Sequence, residues 1–287
     1  MTTETHPELK RLIERTVSVP TIPSVLMRMD RVLASPETCA GDVAKAVSSD
    51  PALASKVLRI ANSAYYGLKS RVTSLDLAVA LLGFKVIRNI VVTASLLDSF
   101  GGAADGTTVQ AEGFWRHSAQ TAAAAKLIHS RFVKGDKAVD DDAYTAGLLH
   151  DLGKLILLDK RKREYIAMMT RARAKGTPLY LAEREEYGYD HAQVGGLLAE
   201  NWHLPASVVA GITHHHDPLE YLDEYPTVAL THIGDYVAKT RGAPAGFCAG
   251  PDPFVEASLT SIGLAEADLS QIVFMFESEE KTLDMPF

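Results

Sequence analysis

An all-α fold is what this sequence predicts, and three observations predict it. Apolar residues recur every three or four positions in segment after segment. Capping residues, prolines and glycines fall between those segments. No stretch alternates apolar and polar side chains as a half-buried strand would. The composition agrees, with abundant alanine, 7% aromatic residues and 47% hydrophobic residues, enough to bury a sizeable core in 287 residues.

The elements follow in order. Leu9, Leu12 and Ile13 predict a first amphipathic helix, and the proline-punctuated run Ser18 to Pro23 connects it to the next. Val25, Leu26, Met29, Val32 and Leu33 mark a second helix, and residues 42–47 a short third. Asp50-Pro51 opens a fourth, with Asp50 as N-cap and Pro51 in the first turn. It runs to about Ala64, and Tyr65-Tyr66-Gly67 closes it. Ser74 caps a fifth helix to Leu82, Gly83-Phe84 breaks it, and a sixth spans 85–99. The glycine-rich stretch 101–108 ends the first half. The second half reads as helices at about 111–132, 140–158, 161–175, 178–187, 190–202, 205–215 and 226–240. A loop at 242–253 and a last helical pair at 254–262 and 265–281 complete it. The expected division is an N-terminal helical part at 1–105 and a helical core at 106–287.

A formal charge of -7 argues against general nucleic-acid binding, while leaving room for a local basic pocket. Cys39 and Cys248 have no ligand-like spacing and read as free thiols in a reducing compartment. The first residues lack the apolar core of a signal peptide, and apolar runs such as 90–97 are too short to span a bilayer. A soluble cytoplasmic protein is the expectation.

The chemistry centres on His150-Asp151, set in the apolar run Ala146 to Ile156. Burying an imidazole and a carboxylate is costly unless they are paired or bound to a metal. His117, His191, His214-His215-His216 and Asp235 are the candidate companions, spread over four further predicted helices or helix ends. Convergence of such ligands from several helices is how bundles build metal sites. An all-nitrogen and oxygen set suits iron, manganese or zinc, and the Asp151 carboxylate is placed to bridge two ions. Lys154 lies one turn after His150, predicting a phosphate contact from the same helix face. Single histidines on helices are more often structural, and His129 and His203 read that way. His232 lies one turn before Asp235 and is either a neighbour of the ligands or simply packed. The alternative for the triple His214-His215-His216 is a solvated helix C-cap.

The order His117, His150-Asp151, Asp235 resembles the HD superfamily of metal-dependent phosphohydrolases. A wider pattern resembles its HDOD (HD-related output domain) branch in bacteria. It comprises Val19-Pro20-Thr21-Ile22-Pro23, Asp50 to Gly67, Ser74 to Leu82 with Gly83 and Arg88-Asn89, His191 to Gly195, and Trp202 to Pro205 followed by His215 to Pro218. The resemblance covers roughly residues 15–240. It implies an N-terminal helical subdomain beside an HD-like helical core, and a signalling or regulatory role with a protein partner. It also implies His117, His150, Asp151 and Asp235 as the minimal HD ligands. His191, His215 and His216 match further ligands of the HD-GYP cyclic-dinucleotide phosphodiesterases, and Lys154 matches their phosphate-contacting lysine. Two features depart from HD-GYP. Gly113 stands where a glutamate would serve a third metal, with Glu112 one residue out of register, and the Gly-Tyr-Pro loop after the paired histidines is missing.

Two readings follow. One is a regulatory module whose HD core is a scaffold or sensor. The other is a metal-dependent phosphohydrolase acting on a nucleotide or other phosphorylated ligand, with Asp151 and Lys154 as its catalytic residues. Both carry a divalent transition metal, two ions when filled.

Overall fold

The structure, a computed structural model, describes residues 24–62, 70–101, 108–240 and 252–280, together with residues 9, 66 and 68. Among them every regular element is helical. The expected connector at 18–23, most of the first helix, the loop core at 102–107 and most of the loop at 242–253 lie outside the described residues. The chain divides into two compact units, one at 17–103 and one centred on 104–280.

The first unit contains α1 (Ser24–Leu33), α2 (Ala40–Ser48), α3 (Pro51–Ala61) and α4 (Leu75–Gly101). Met29, Val47, Val57, Ile87 and Val91 are fully buried and form its interior. The predicted cap of α3 is present: the Asp50 carboxylate accepts from the Ala52 and Leu53 amides, both at 3.1 Å. The helix ends at Ala61, earlier than its periodicity suggests, because the Asn62 side chain ties down the returning chain. Its amide donates to the Leu58 and Val72 carbonyls (2.7 and 2.8 Å) and its oxygen accepts from the Val72 amide (2.7 Å). The predicted break at Gly83 is a sharp kink within α4. Gly83 has φ 83° and ψ 165°, a conformation open to glycine and strained for other residues.

The second unit runs from α5 (Thr108–Ile128), which widens into a π-helical turn at His129–Val133, through α6 (Lys137–Leu149) and α7 (Leu152–Lys160). It continues with α8 (Lys162–Lys175), α9 (Leu179–Tyr187), α10 (His191–Asn201), α11 (Ala206–His214) and α12 (Pro226–Thr240), and ends with α13 (Ala257–Ser261) and α14 (Glu266–Glu280). The alanine-rich face of α5 packs between α6 and α12, while α10 packs on α7 and α11. These six helices set up the site.

One expectation needs correcting. The sequence reads 140–158 as a single helix, but α6 stops at Leu149 and α7 starts at Leu152. His150 and Asp151 form the turn between them, so His150 and Lys154 are not on one helix face. The apolar pattern runs through the turn and gives no stop signal. Two histidines behave as the sequence suggests. His129 is buried with Nδ1 2.7 Å from Asp140 Oδ1, and His203 is exposed with a left-handed φ of 53° after α10. No described helix is long and apolar enough to cross a membrane.

Candidate metal centre

Each predicted ligand is delivered by local structure. His117 lies on the inward face of α5 and Asp235 midway along α12. His150 and Asp151 occupy the α6–α7 turn. His191 is the first residue of α10, which Asp190 caps through the Gln193 amide at 2.9 Å. His215 and His216 follow the last turn of α11. All seven side chains are buried, none more than 7% exposed.

They converge. His117 Nε2 is 3.0 Å from Asp235 Oδ1 and 3.6 Å from Asp151 Oδ2. His150 Nε2 is 3.3 Å from Asp151 Oδ1 and 3.6 Å from Asp235 Oδ1. His191 Nε2 is 3.2 Å from the same Asp151 Oδ1 and 3.0 Å from His216 Nε2. His215 joins His191 and His216 on one side and His150 and Asp151 on the other. Asp151 is therefore shared by two overlapping groups: His117, His150 and Asp235, and His191, His215 and His216. His214 stays outside, stacked on Tyr221 at 3.5 Å between ring centroids.

The ring orientations show which atoms are on offer. His150 Nδ1 donates to the Gly147 carbonyl and His215 Nδ1 to the Ile212 carbonyl, both at 2.7 Å. A carbonyl can only accept, so both rings carry a proton on Nδ1 and point Nε2 inward, the atom left to ligate an ion. His191 Nδ1 faces Glu183 Oε2 at 2.6 Å and is fixed the same way. The inward atoms His117 Nε2, His150 Nε2, His215 Nε2, Asp151 Oδ1 and Asp235 Oδ1 have no hydrogen-bond partner. Five such buried atoms in one place are costly unless a cation satisfies them. Two donors each about 2.1 Å from one ion stand about 3.0 Å apart at a right angle and about 3.4 Å apart at the tetrahedral angle. The observed separations of 3.0–3.6 Å match these edges. The residues present fit one or two divalent transition-metal ions.

The same groups are tightly coupled electrostatically. Burial opposes a charge on His150, but the Asp151 and Asp235 carboxylates override it and push its pKa up to about 9. Burial is likewise overridden at His191 by Glu183, to about 8. Burial and the neighbouring imidazoles hold His215 and His216 well below the ordinary histidine range. Burial would raise Asp151, yet His150 and Lys154 keep it ionised, and Lys239 with His117 and His150 does the same for Asp235. Lys154 Nζ lies 2.7 Å from Asp151 Oδ2, and Lys239 Nζ 2.6 Å from Asp235 Oδ2.

With this geometry in view, the family comparison is decisive. Residues 19–218 match the HDOD domain model. The chain belongs to the HDOD domain family. An uncharacterized protein of Treponema pallidum is 26% identical to this HDOD chain over 235 residues. The match takes in 80% of this chain and 45% of that protein, so this chain spans under half of its relative's length. A Geobacter sulfurreducens HDOD domain protein of unknown function is 25% identical, with coverage of 97% and 98% and a TM-score of 0.71. A Shewanella amazonensis protein, provisionally named a metal-dependent phosphohydrolase, shares the HDOD fold with a TM-score of 0.63 at 20% identity and 96% coverage of both chains.

Four residues around the centre were not singled out from the sequence or were left open there. Glu183 orients His191. Lys239 neutralises Asp235 and also contacts Asp252, whose Oδ2 stands 3.8 Å from His216 Nδ1. His232 donates from Nδ1 to the His215 carbonyl (2.7 Å) and accepts from the Val255 amide (3.0 Å), which makes it a support for the ligand loop. Glu183 had one legible signal: it sits on the buried stripe Leu179–Glu183–Tyr187 among exposed acids.

Proposed function

We propose that this HDOD chain is a metal-binding signalling module of the bacterial cytoplasm. It holds two divalent ions, of iron, manganese or zinc, and regulates a protein partner. His117, His150 and Asp235 would hold one ion, His191, His215 and His216 the other, with Asp151 shared. The observation that carries this reading is the set of five buried donor atoms that make no regular hydrogen bond and face one another at ligand spacing. Regulation rather than turnover is favoured by the two lysines: the Lys154 and Lys239 ammonium groups are already committed to the outer oxygens of Asp151 and Asp235. Ligands drawn from four helices and the α6–α7 turn couple metal occupancy to the stability of the second unit, because any species that binds only the folded state stabilises it.

A second reading, a phosphohydrolase acting on a nucleotide or cyclic dinucleotide, is favoured by a cavity of about 200 Å³. It is lined by His216, Asp235, Tyr236, Lys239 and Asp252, directly beside the donors. Bound ions would supply Lewis acidity and a water of lowered pKa. Asp151 would orient that water, and Lys154 would exchange its carboxylate for the substrate phosphate. Gly113 and the missing Gly-Tyr-Pro loop favour substrates other than cyclic di-GMP.

Elemental analysis of the reconstituted chain, followed by a screen of nucleotides and cyclic dinucleotides with iron, manganese and zinc, separates the two. Two ions without turnover support the regulatory module. Turnover of about 1 s⁻¹ or more, abolished in Asp151→Ala, supports the hydrolase. No transition metal after reconstitution overturns both.

A further inference from the structure

Glu183 is a fully buried carboxylate with no place among the predicted ligands. Burying a lone carboxylate costs several kcal/mol unless its lone pairs are satisfied. Here both oxygens are engaged, by residues of two neighbouring helices. Oε2 accepts from His191 Nδ1 at 2.6 Å and from the His191 backbone amide at 2.8 Å. Oε1 accepts from the Tyr165 hydroxyl at 2.5 Å. Tyr165 is itself fully buried, so α8, α9 and α10 meet at this one side chain. A helix cap does not require it, since Asp190 already caps α10.

We propose that Glu183 is the positioning residue of the centre. It fixes the His191 ring with Nδ1–H toward the carboxylate and Nε2 toward Asp151 and His216, and so sets the affinity of the ion held by His191, His215 and His216. The proposal rests on reading these donors as a metal centre. A carboxylate hydrogen-bonded to the remote nitrogen of a ligating histidine fixes the ring and strengthens it as a ligand, and losing such a partner typically weakens metal binding about 10–100-fold. The other ligands on that side lack this support: His215 Nδ1 has only the neutral Ile212 carbonyl, and Asp252 stands 3.8 Å from His216 Nδ1. The charge of Glu183 therefore falls on one half of the centre. His117, His150 and Asp235 receive no contact from it.

The test titrates the metal-free full chain with zinc and counts tightly bound ions for wild type, Glu183→Gln, Glu183→Ala and Glu185→Gln. Gln keeps the volume and one acceptor oxygen for the His191 donors, removes the charge and turns an NH2 toward the Tyr165 hydroxyl, which can accept from it. Glu185 is an exposed acid on the same helix and serves as the charge control. Wild type and Glu185→Gln should bind two ions. Glu183→Gln should keep one ion and bind the second about 10–100-fold more weakly, with Glu183→Ala at least as weak. Two equally tight ions in both Glu183 variants overturn the positioning role and leave the metal centre standing. A wild type that binds no zinc overturns the metal reading, and this proposal with it. Nitrogen-15 shifts of His191 in the zinc-loaded wild type add a check that needs no variant: metal on Nε2 is expected, and metal on Nδ1 overturns the proposal.

Discussion

Gly153→Ala should damage the metal centre without touching a ligand. Gly153 sits in the first turn of α7, where that helix crosses α10. A Cβ added there would lie 2.0 Å from the His191 carbonyl oxygen, 2.8 Å from the His191 carbonyl carbon and 3.0 Å from the Gly195 amide nitrogen. All three are backbone atoms, so no side-chain rotation relieves the clash. Carbon and its neighbours settle at about 3.5 Å, which requires α7 and α10 to part by about 1–1.5 Å. The 3.2 Å separation of Asp151 Oδ1 and His191 Nε2 spans that crossing. Stretched by as much, it reaches about 4.2 Å or more, the limit that two ligands with bonds of about 2.1 Å to one ion can span. The expected result is a loss of about 1–3 kcal/mol in the stability of the metal-free protein, together with loss of at least one ion. Chemical denaturation and elemental analysis, run in parallel, measure both. A Gly153→Ala protein with wild-type stability and two tightly bound ions would refute the packing argument.

Three further outcomes are expected. His191→Ala should lose one ion and His117→Ala the other, while Asp151→Ala should bind neither tightly, because both groups share its carboxylate; elemental analysis counts them. Metal affinity should rise with pH, since an incoming ion must displace protons from His191 and His150, whose pKa values lie at about 8 and about 9. Each affinity should rise roughly tenfold per pH unit, below about pH 8 for the ion held by His191 and below about pH 9 for the ion held by His150, and level off above, as a competition titration with a chelator would show. Gly83→Ala should cost about 1–3 kcal/mol in denaturant unfolding and leave metal content unchanged, because a residue with a Cβ is strained at φ 83°, ψ 165°.

What could be read from the chain was whatever short-range chemistry dictates. The Asp50-Pro51 start of α3, the break at Gly83 and the Asp190-capped start of α10 depend on residues within one helical turn, so their signals are local. The seven candidate ligands were legible because imidazoles and carboxylates in apolar surroundings are costly, and costly residues stand out. The α6–α7 turn was not legible, because apolar spacing runs straight through His150 and Asp151 while the Gly147 carbonyl takes the His150 side chain as a donor.

The roles of Glu183, Lys239 and Asp252 were settled only by tertiary packing. Glu183 resembles its exposed neighbours Glu185 and Glu186 until α8 and α10 close over it, and Lys239 looks like a solvated helix lysine until Asp235 and Asp252 reach it. Sequence alone named the donor atoms of this HDOD protein. Which of them converge, how each ring is turned and which charges hold them in place depend on contacts between helices far apart along the chain, and no local pattern encodes those distances.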